Sequence, residues 1–194
     1  MGIIRWVVTL LCFVPLGDAV YQVFYNYEIA DPVKFLTKQT GVWAIVFMLL
    51  TLSITPLRKI TRKQWLFPYR AIFGRIFFLY VFCHAVVFIA LANTFNPSDI
   101  ILSIKKSKPI IFGLIALLML IPMMATTGHY MIKKLGHVKW RRVHSMIYPA
   151  SIFAALHYLT VVKKDIRLPL VASVFVLVLL GFRLYRHYSS KKQV

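Results

Sequence analysis

Of the 194 residues, 60% are hydrophobic and mean hydropathy is +0.74, whereas soluble domains are roughly half apolar. The formal net charge of +19 would suit nucleic acid only if it formed a basic face on a soluble fold. Here the cations separate long apolar runs, which excludes a nucleic-acid binder and points to the lipid bilayer as partner. Cys12 and Cys83 both lie inside apolar runs and form neither a disulfide framework nor a metal-type pair.

A membrane-spanning helix needs about 20 mostly apolar residues, because hydrocarbon satisfies no bare backbone group. The first such run covers 4–25. It shows no small-residue cleavage site and is expected to be a retained anchor; its one acid, Asp18, is read as structural. The second, 41–57, is short and ends at Thr55-Pro56. The third covers 70–93. The fourth, 109–132, starts at Pro109 and is expected to kink at Pro122. The fifth and sixth cover 143–162 and 168–186. The expected fold class is all-α, a polytopic six-transmembrane-helix bundle forming a single domain over 1–194, with no internal repeat.

Basic residues set the orientation. Arg58, Lys59, Arg62, Lys63 and Arg70 fall between spans two and three. Lys133, Lys134, Lys139, Arg141 and Arg142 fall between four and five. Arg183, Arg186, Lys191 and Lys192 follow span six. The other side carries fewer cations together with Glu28, Asp31, Asp99 and Asp165, so both termini are expected in the cytoplasm. Trp43, Trp65 and Trp140 are read as interface anchors.

His137 and His187 fall in a loop and near the tail, as surface imidazoles. His84, His129, His144 and His157 fall in or at the ends of spans, where a polar side chain is a functional candidate. His84 lies 14 residues beyond Arg70 and His157 lies 14 beyond Val143. At about 1.5 Å per residue both reach about 21 Å from the cytoplasmic edge. Two imidazoles at one depth on two helices suit the axial positions of a haem iron, with Phe77, Phe78, Phe82, Phe88 and Phe153 as apolar packing for a porphyrin. His144 is rotated about 140° from His157 and cannot serve the same iron. It is read either as ligand to a second haem, with or without His129, or as a contact to a haem propionate, a flavin or a quinone headgroup. Arg70, Arg75, Arg141 and Arg142 cluster at the inner end. They are read as snorkelling cations or as partners for a propionate or phosphate, which guanidinium forks fit.

The run Ala30-Asp31-Pro32-Val33-Lys34, then Thr40-Gly41, then Leu52-Ser53-Ile54-Thr55-Pro56-Leu57, resembles the haem-binding membrane subunits of the MsrQ (YedZ) type. So do His84, Lys134-Leu135-Gly136, Trp140-Arg141-Arg142-Val143-His144 and Ala155-Leu156-His157-Tyr158. These subunits belong to the ferric-reductase-like transmembrane superfamily, and the likeness covers nearly the whole chain. It implies a multi-pass subunit of a bacterial inner membrane that carries haem b, with FMN as an associated cofactor. It implies electron delivery from the quinone pool, or from a cytoplasmic flavin reductase, to a periplasmic molybdenum-cofactor reductase, MsrP, which repairs methionine sulfoxide. His84, His144 and His157 match the histidines of that pattern; His129 does not.

No Gly-rich dinucleotide fingerprint occurs, so electrons are expected from a lipid-soluble carrier or another protein. Two other classes stand beside this reading. One is a stand-alone transmembrane reductase of ferric ions or oxygen. The other is a carrier using His84 and His157 as a proton relay.

Overall fold

In a computed structural model, residues 2–191 are described, without the side chains of His187, Ser190 and Lys191. The surface reading of His187 and the charge of Lys192 therefore lie outside the described residues. Every regular element among the described residues is helical, and the chain divides into two compact units, Met1–Ile101 and Leu102–Val194.

The first unit opens with α1 (Gly2–Leu11) and α2 (Val14–Tyr25). The apolar run read as one span is thus broken at Cys12-Phe13. Pro15 is the cause: it has no N–H for the Leu11 carbonyl, and its ring crowds the preceding turn. The Leu16 N–H turns back to Phe13 O at 3.1 Å. The Cys12 carbonyl is met instead by the Tyr80 hydroxyl, which donates to it at 2.9 Å.

Helix α3 runs from Pro32 to Thr61, well beyond the 41–57 expected at both ends. Its start explains the Asp31-Pro32 pair physically. Proline is pre-organised for the first helical position, and Asp31 Oδ1 accepts from the Lys34 N–H at 2.9 Å as N-cap. Pro56 sits inside the helix, which stops only where Arg62 turns left-handed at φ 58°. The Lys34 backbone N–H, helped by the Lys34 ammonium, holds the Asp31 carboxyl below its usual range. A depressed folded value stabilises above the unfolded pKa and is lost as pH falls through the folded one. The protection of the Lys34 and Phe35 amides, relative to an unstructured chain at the same pH, is therefore expected to fall on acidification, and Asp31→Ala is expected to show low protection at every pH.

A 3-10 turn, Gln64–Leu66, leads into α4 (Phe67–Val86), which continues as a π-helical stretch, Val87–Ala92. Helices α3 and α4 enclose the core of this unit, where Met48, Leu52 and Tyr80 are 0%, 1% and 1% exposed. The Phe47 ring lies 5.1 Å from that of Tyr80. A short helix, α5 (Pro97–Lys106), follows in what the sequence presents as an outer loop.

The second unit contains α6 (Lys108–Ala125), α7 (His129–His144), α8 (Ile147–Val161) and α9 (Arg167–Lys191). The fourth span stops at Ala125, three residues past Pro122, so His129 is not in a span but opens α7. Helix α7 replaces the expected basic loop. It exposes Lys133, Lys134, Lys139, Arg141 and Arg142, the composition of a cationic helix lying at a membrane surface. It breaks at Gly136, with φ 75° and ψ 155°, a region open almost only to glycine. Gly136→Ala is expected to cost about 1–3 kcal/mol of strain, read as a lower unfolding midpoint in detergent.

Val143 and His144 belong to α7, and a turn at Ser145-Met146 separates them from α8. The count from Val143 to His157 therefore crosses a turn and does not measure a continuous helical rise. Helix α8 has 15 residues, about 22 Å of rise against a hydrocarbon core of about 30 Å. Among the described residues, five helical segments are long and apolar enough to cross a membrane: Gly2–Tyr25, Pro32–Thr61, Gln64–Ala92, Lys108–Ala125 and Arg167–Arg186. Along α9, Leu170, Val171, Val174, Phe175, Leu177 and Val178 are exposed, while Ala172, Ser173 and Val176 are buried. A soluble monomer rarely exposes so continuous an apolar stripe; lipid covers it, and the chain is a multi-pass membrane protein.

Candidate metal-ligand histidines

His84 projects from α4 onto the first turns of α3. Its Nδ1 lies 3.0 Å from the Thr37 carbonyl oxygen and 3.3 Å from Thr40 Oγ1. A carbonyl can only accept, so Nδ1 carries the proton. The Thr40 hydroxyl is already directed at Leu36 O, 2.7 Å away, and therefore presents a lone pair to the same N–H. In the neutral imidazole the lone pair then falls on Nε2, the nitrogen through which such a ring can bind a metal.

His157 is built the same way in the second unit. It projects from α8 onto the start of α6, and its Nδ1 donates to Pro109 O at 2.7 Å. Nε2 again bears the lone pair. In each unit a glycine lies one helical turn after the accepting carbonyl and faces the ring. A Cβ at Gly41 would come within 3.1 Å of His84 Cε1, and one at Gly113 within 2.9 Å of His157 Nδ1. The accepting carbonyl and its histidine are 47 residues apart in one unit and 48 in the other. The chain thus repeats a local device, a carbonyl and a glycine four residues on with a histidine from the partner helix laid across them. Hydropathy hides this repeat, because glycine inside an apolar helix alters the profile little. Comparing the His84 and His157 neighbourhoods at matched spacing could have found it.

The aromatic set is divided. Phe77 is buried at 4%, and Phe153 packs against Phe112 with centroids 6.4 Å apart. Phe78 and Phe88 are half-buried, whereas Phe82 is exposed.

His144 is held differently. It ends α7, its ring stacks on Trp140 at 4.0 Å, and its Nδ1 donates to Trp140 O of its own helix at 3.2 Å. Trp140 in turn donates Nε1–H to Thr126 O at 3.1 Å, tying α7 to the end of α6. His129 and His137 are exposed. His137, Val138, Arg141, Arg142 and Ser145 line an open concavity of about 350 Å³, so two of the four candidate arginines converge on one surface. Arg70 and Arg75 are exposed on α4, and Arg75 Nε donates to Ala71 O of its own helix at 3.2 Å. Asp18 is exposed on α2.

Comparison with known proteins gives the family. The family model described as the ferric reductase like transmembrane component matches residues 40–155, a stretch that includes His84, Gly41 and Gly113. The protein-methionine-sulfoxide reductase haem-binding subunit MsrQ of Xanthomonas oryzae pv. oryzae is 36% identical over 163 residues, covering 84% of this chain and 74% of the relative. The subunit of the same name from Herminiimonas arsenicoxydans is 29% identical over 187 residues, covering 95% and 86%. The magnetosome protein MamZ of Magnetospirillum gryphiswaldense is 34% identical over 173 residues, 88% of this chain but only 27% of MamZ. On the family match and these relatives, the chain belongs to the ferric-reductase-like transmembrane family, in its MsrQ branch.

Proposed function

We propose that this protein is the electron-transfer subunit of a methionine sulfoxide reductase system, with haem b held by His84 and His157. The observation that carries the reading is the matched pair of histidines, each projecting from an apolar helix with Nδ1–H given to the carbonyl of a neighbouring helix. A half-buried imidazole in an apolar helix is costly. Two built alike, in a family whose relatives are named for haem binding, are better read as ligands than as packing. When bound, haem b supplies a one-electron couple that suits transfer through a membrane. The chain's own contribution is to orient both imidazoles through main-chain acceptors that no side-chain motion can withdraw, and to surround them with apolar helices.

The remaining assignments extend this reading. The basic residues that flank the spans support six membrane passes with both termini on the cytoplasmic side, and the likeness to MsrQ subunits supports a bacterial inner membrane. The fifth pass then uses the short α8. Electrons enter from quinol or a cytoplasmic flavin reductase and leave to a periplasmic molybdenum-cofactor reductase of the MsrP type. Arg141 and Arg142, on the concavity beside His137, offer paired guanidinium forks to a propionate or to the phosphate of FMN. His144, stacked on Trp140, lies in the same segment.

The test is the optical spectrum of the purified protein. A reversible b-type absorption on reduction is expected, and a colourless preparation would end the reading. His144→Ala is expected to leave the main absorption in place, with any fall in pigment per protein counting an inner haem.

A further inference from the structure

The geometry points to Gly41 and Gly113 as the positioning residues that set the rotation of the His84 and His157 imidazole planes, with Gly113 the more exacting. This rests on the haem-ligand reading above and goes beyond it, because neither glycine would touch the iron.

Hydrogen bonding through Nδ1 fixes where one edge of each ring lies but leaves the ring able to pivot about that bond. The face of the supporting helix stops the pivot. At Gly41 the space a methyl would take is bounded by His84 Cε1 at 3.1 Å and Nδ1 at 3.2 Å. At Gly113 it is bounded by His157 Nδ1 at 2.9 Å and Cε1 at 3.1 Å. Both rings therefore rest directly on bare helix backbone. A Cβ at Gly41 is accommodated if the ring gives by a few tenths of an ångström. A Cβ at Gly113 meets first the nitrogen already bonded to Pro109 O at 2.7 Å, so the ring cannot yield without lengthening that bond. The other glycines inside the long helices differ. The space beside Gly74 reaches only Thr51 Cγ2, at an ordinary 3.6 Å, and Gly181 has nothing within 4 Å.

The experiment compares Gly41→Ala and Gly113→Ala with Gly74→Ala and Gly181→Ala as helix-glycine controls. It uses the full-length protein purified in detergent. Haem per protein, the g-values of the ferric low-spin signal and the midpoint potential are measured for each. Both controls are expected to match wild type. Gly41→Ala should keep its haem with displaced g-values and potential. Gly113→Ala should lower haem affinity by about 10-fold or more, the effect of losing the outer-shell partner of a metal-bound histidine. If Gly113→Ala does not fold, Gly41→Ala decides alone. Haem-loaded wild type with both test variants indistinguishable from the controls overturns the glycine assignment and leaves the ligand reading standing. Haem-free wild type overturns the ligand reading itself, and this inference with it.

Discussion

In His84→Ala or in His157→Ala, each made alone, the reversible absorption expected of the purified protein should disappear and electron delivery should fall to background. Helical content stays at the wild-type level. On the haem-ligand reading proposed above the loss would be large, because each imidazole would be needed to hold the iron. The structural cost is small, because both rings are only part-buried and their acceptors, Thr37 O and Pro109 O, belong to helix backbones that remain hydrogen-bonded without them. His137→Ala, at an exposed position, is the matched control and leaves the spectrum unchanged. A full haem complement with an unaltered spectrum in His84→Ala removes that residue from the ligand set. The same result in both variants removes the pair from the ligand set and places the haem on other residues, whereas a colourless wild type favours the proton-relay class.

What the sequence makes legible is what lipid demands of composition. The apolar runs of α3, α4, α6 and α9 stand out because the hydrocarbon tolerates little else. Irregularities inside those runs leave weaker marks. The break at Cys12-Phe13 is written only in Pro15, and a proline near a helix start is also a normal helix-former. The turn at Ser145-Met146 has no glycine or proline, so Val143 and His144 read as the first residues of a span although they finish α7. His129 joins span four by the same error: the run Thr126-Thr127-Gly128 is mild in hydropathy, although α6 has stopped at Ala125 and Gly128, at φ 129°, already caps the start of α7. The histidines are legible because a polar ring in an apolar helix is conspicuous. Their supports are not, since two are main-chain carbonyls and two are glycines.

Tyr80 carries the second large effect, and it is purely structural. Tyr80→Phe is expected to destabilise the protein by about 1–3 kcal/mol, the cost of a buried polar group left without its partner. Its hydroxyl donates to the Cys12 carbonyl at 2.9 Å, at the point where Pro15 interrupts the helical ladder and the Leu16 N–H has turned to Phe13 O. Inside a bilayer no water stands in for the missing donor, so the break in the first apolar run depends on a side chain from α4. Tyr80→Ala is expected to cost about 3–5 kcal/mol, since it also empties the space against Phe47, whose ring lies 5.1 Å away. Denaturation in mixed micelles gives both figures, and hydrogen exchange localises the first, with the amides around Leu16 opening sooner in Tyr80→Phe. The haem spectrum is expected to survive Tyr80→Phe, because the phenyl ring still fills the space between α3 and α4 on which the His84 helix is packed. A stability within about 0.5 kcal/mol of wild type, the range of a neutral surface change, is the result that contradicts this: the Cys12 carbonyl would then find its partner elsewhere, and α1 and α2 would be joined without help from α4.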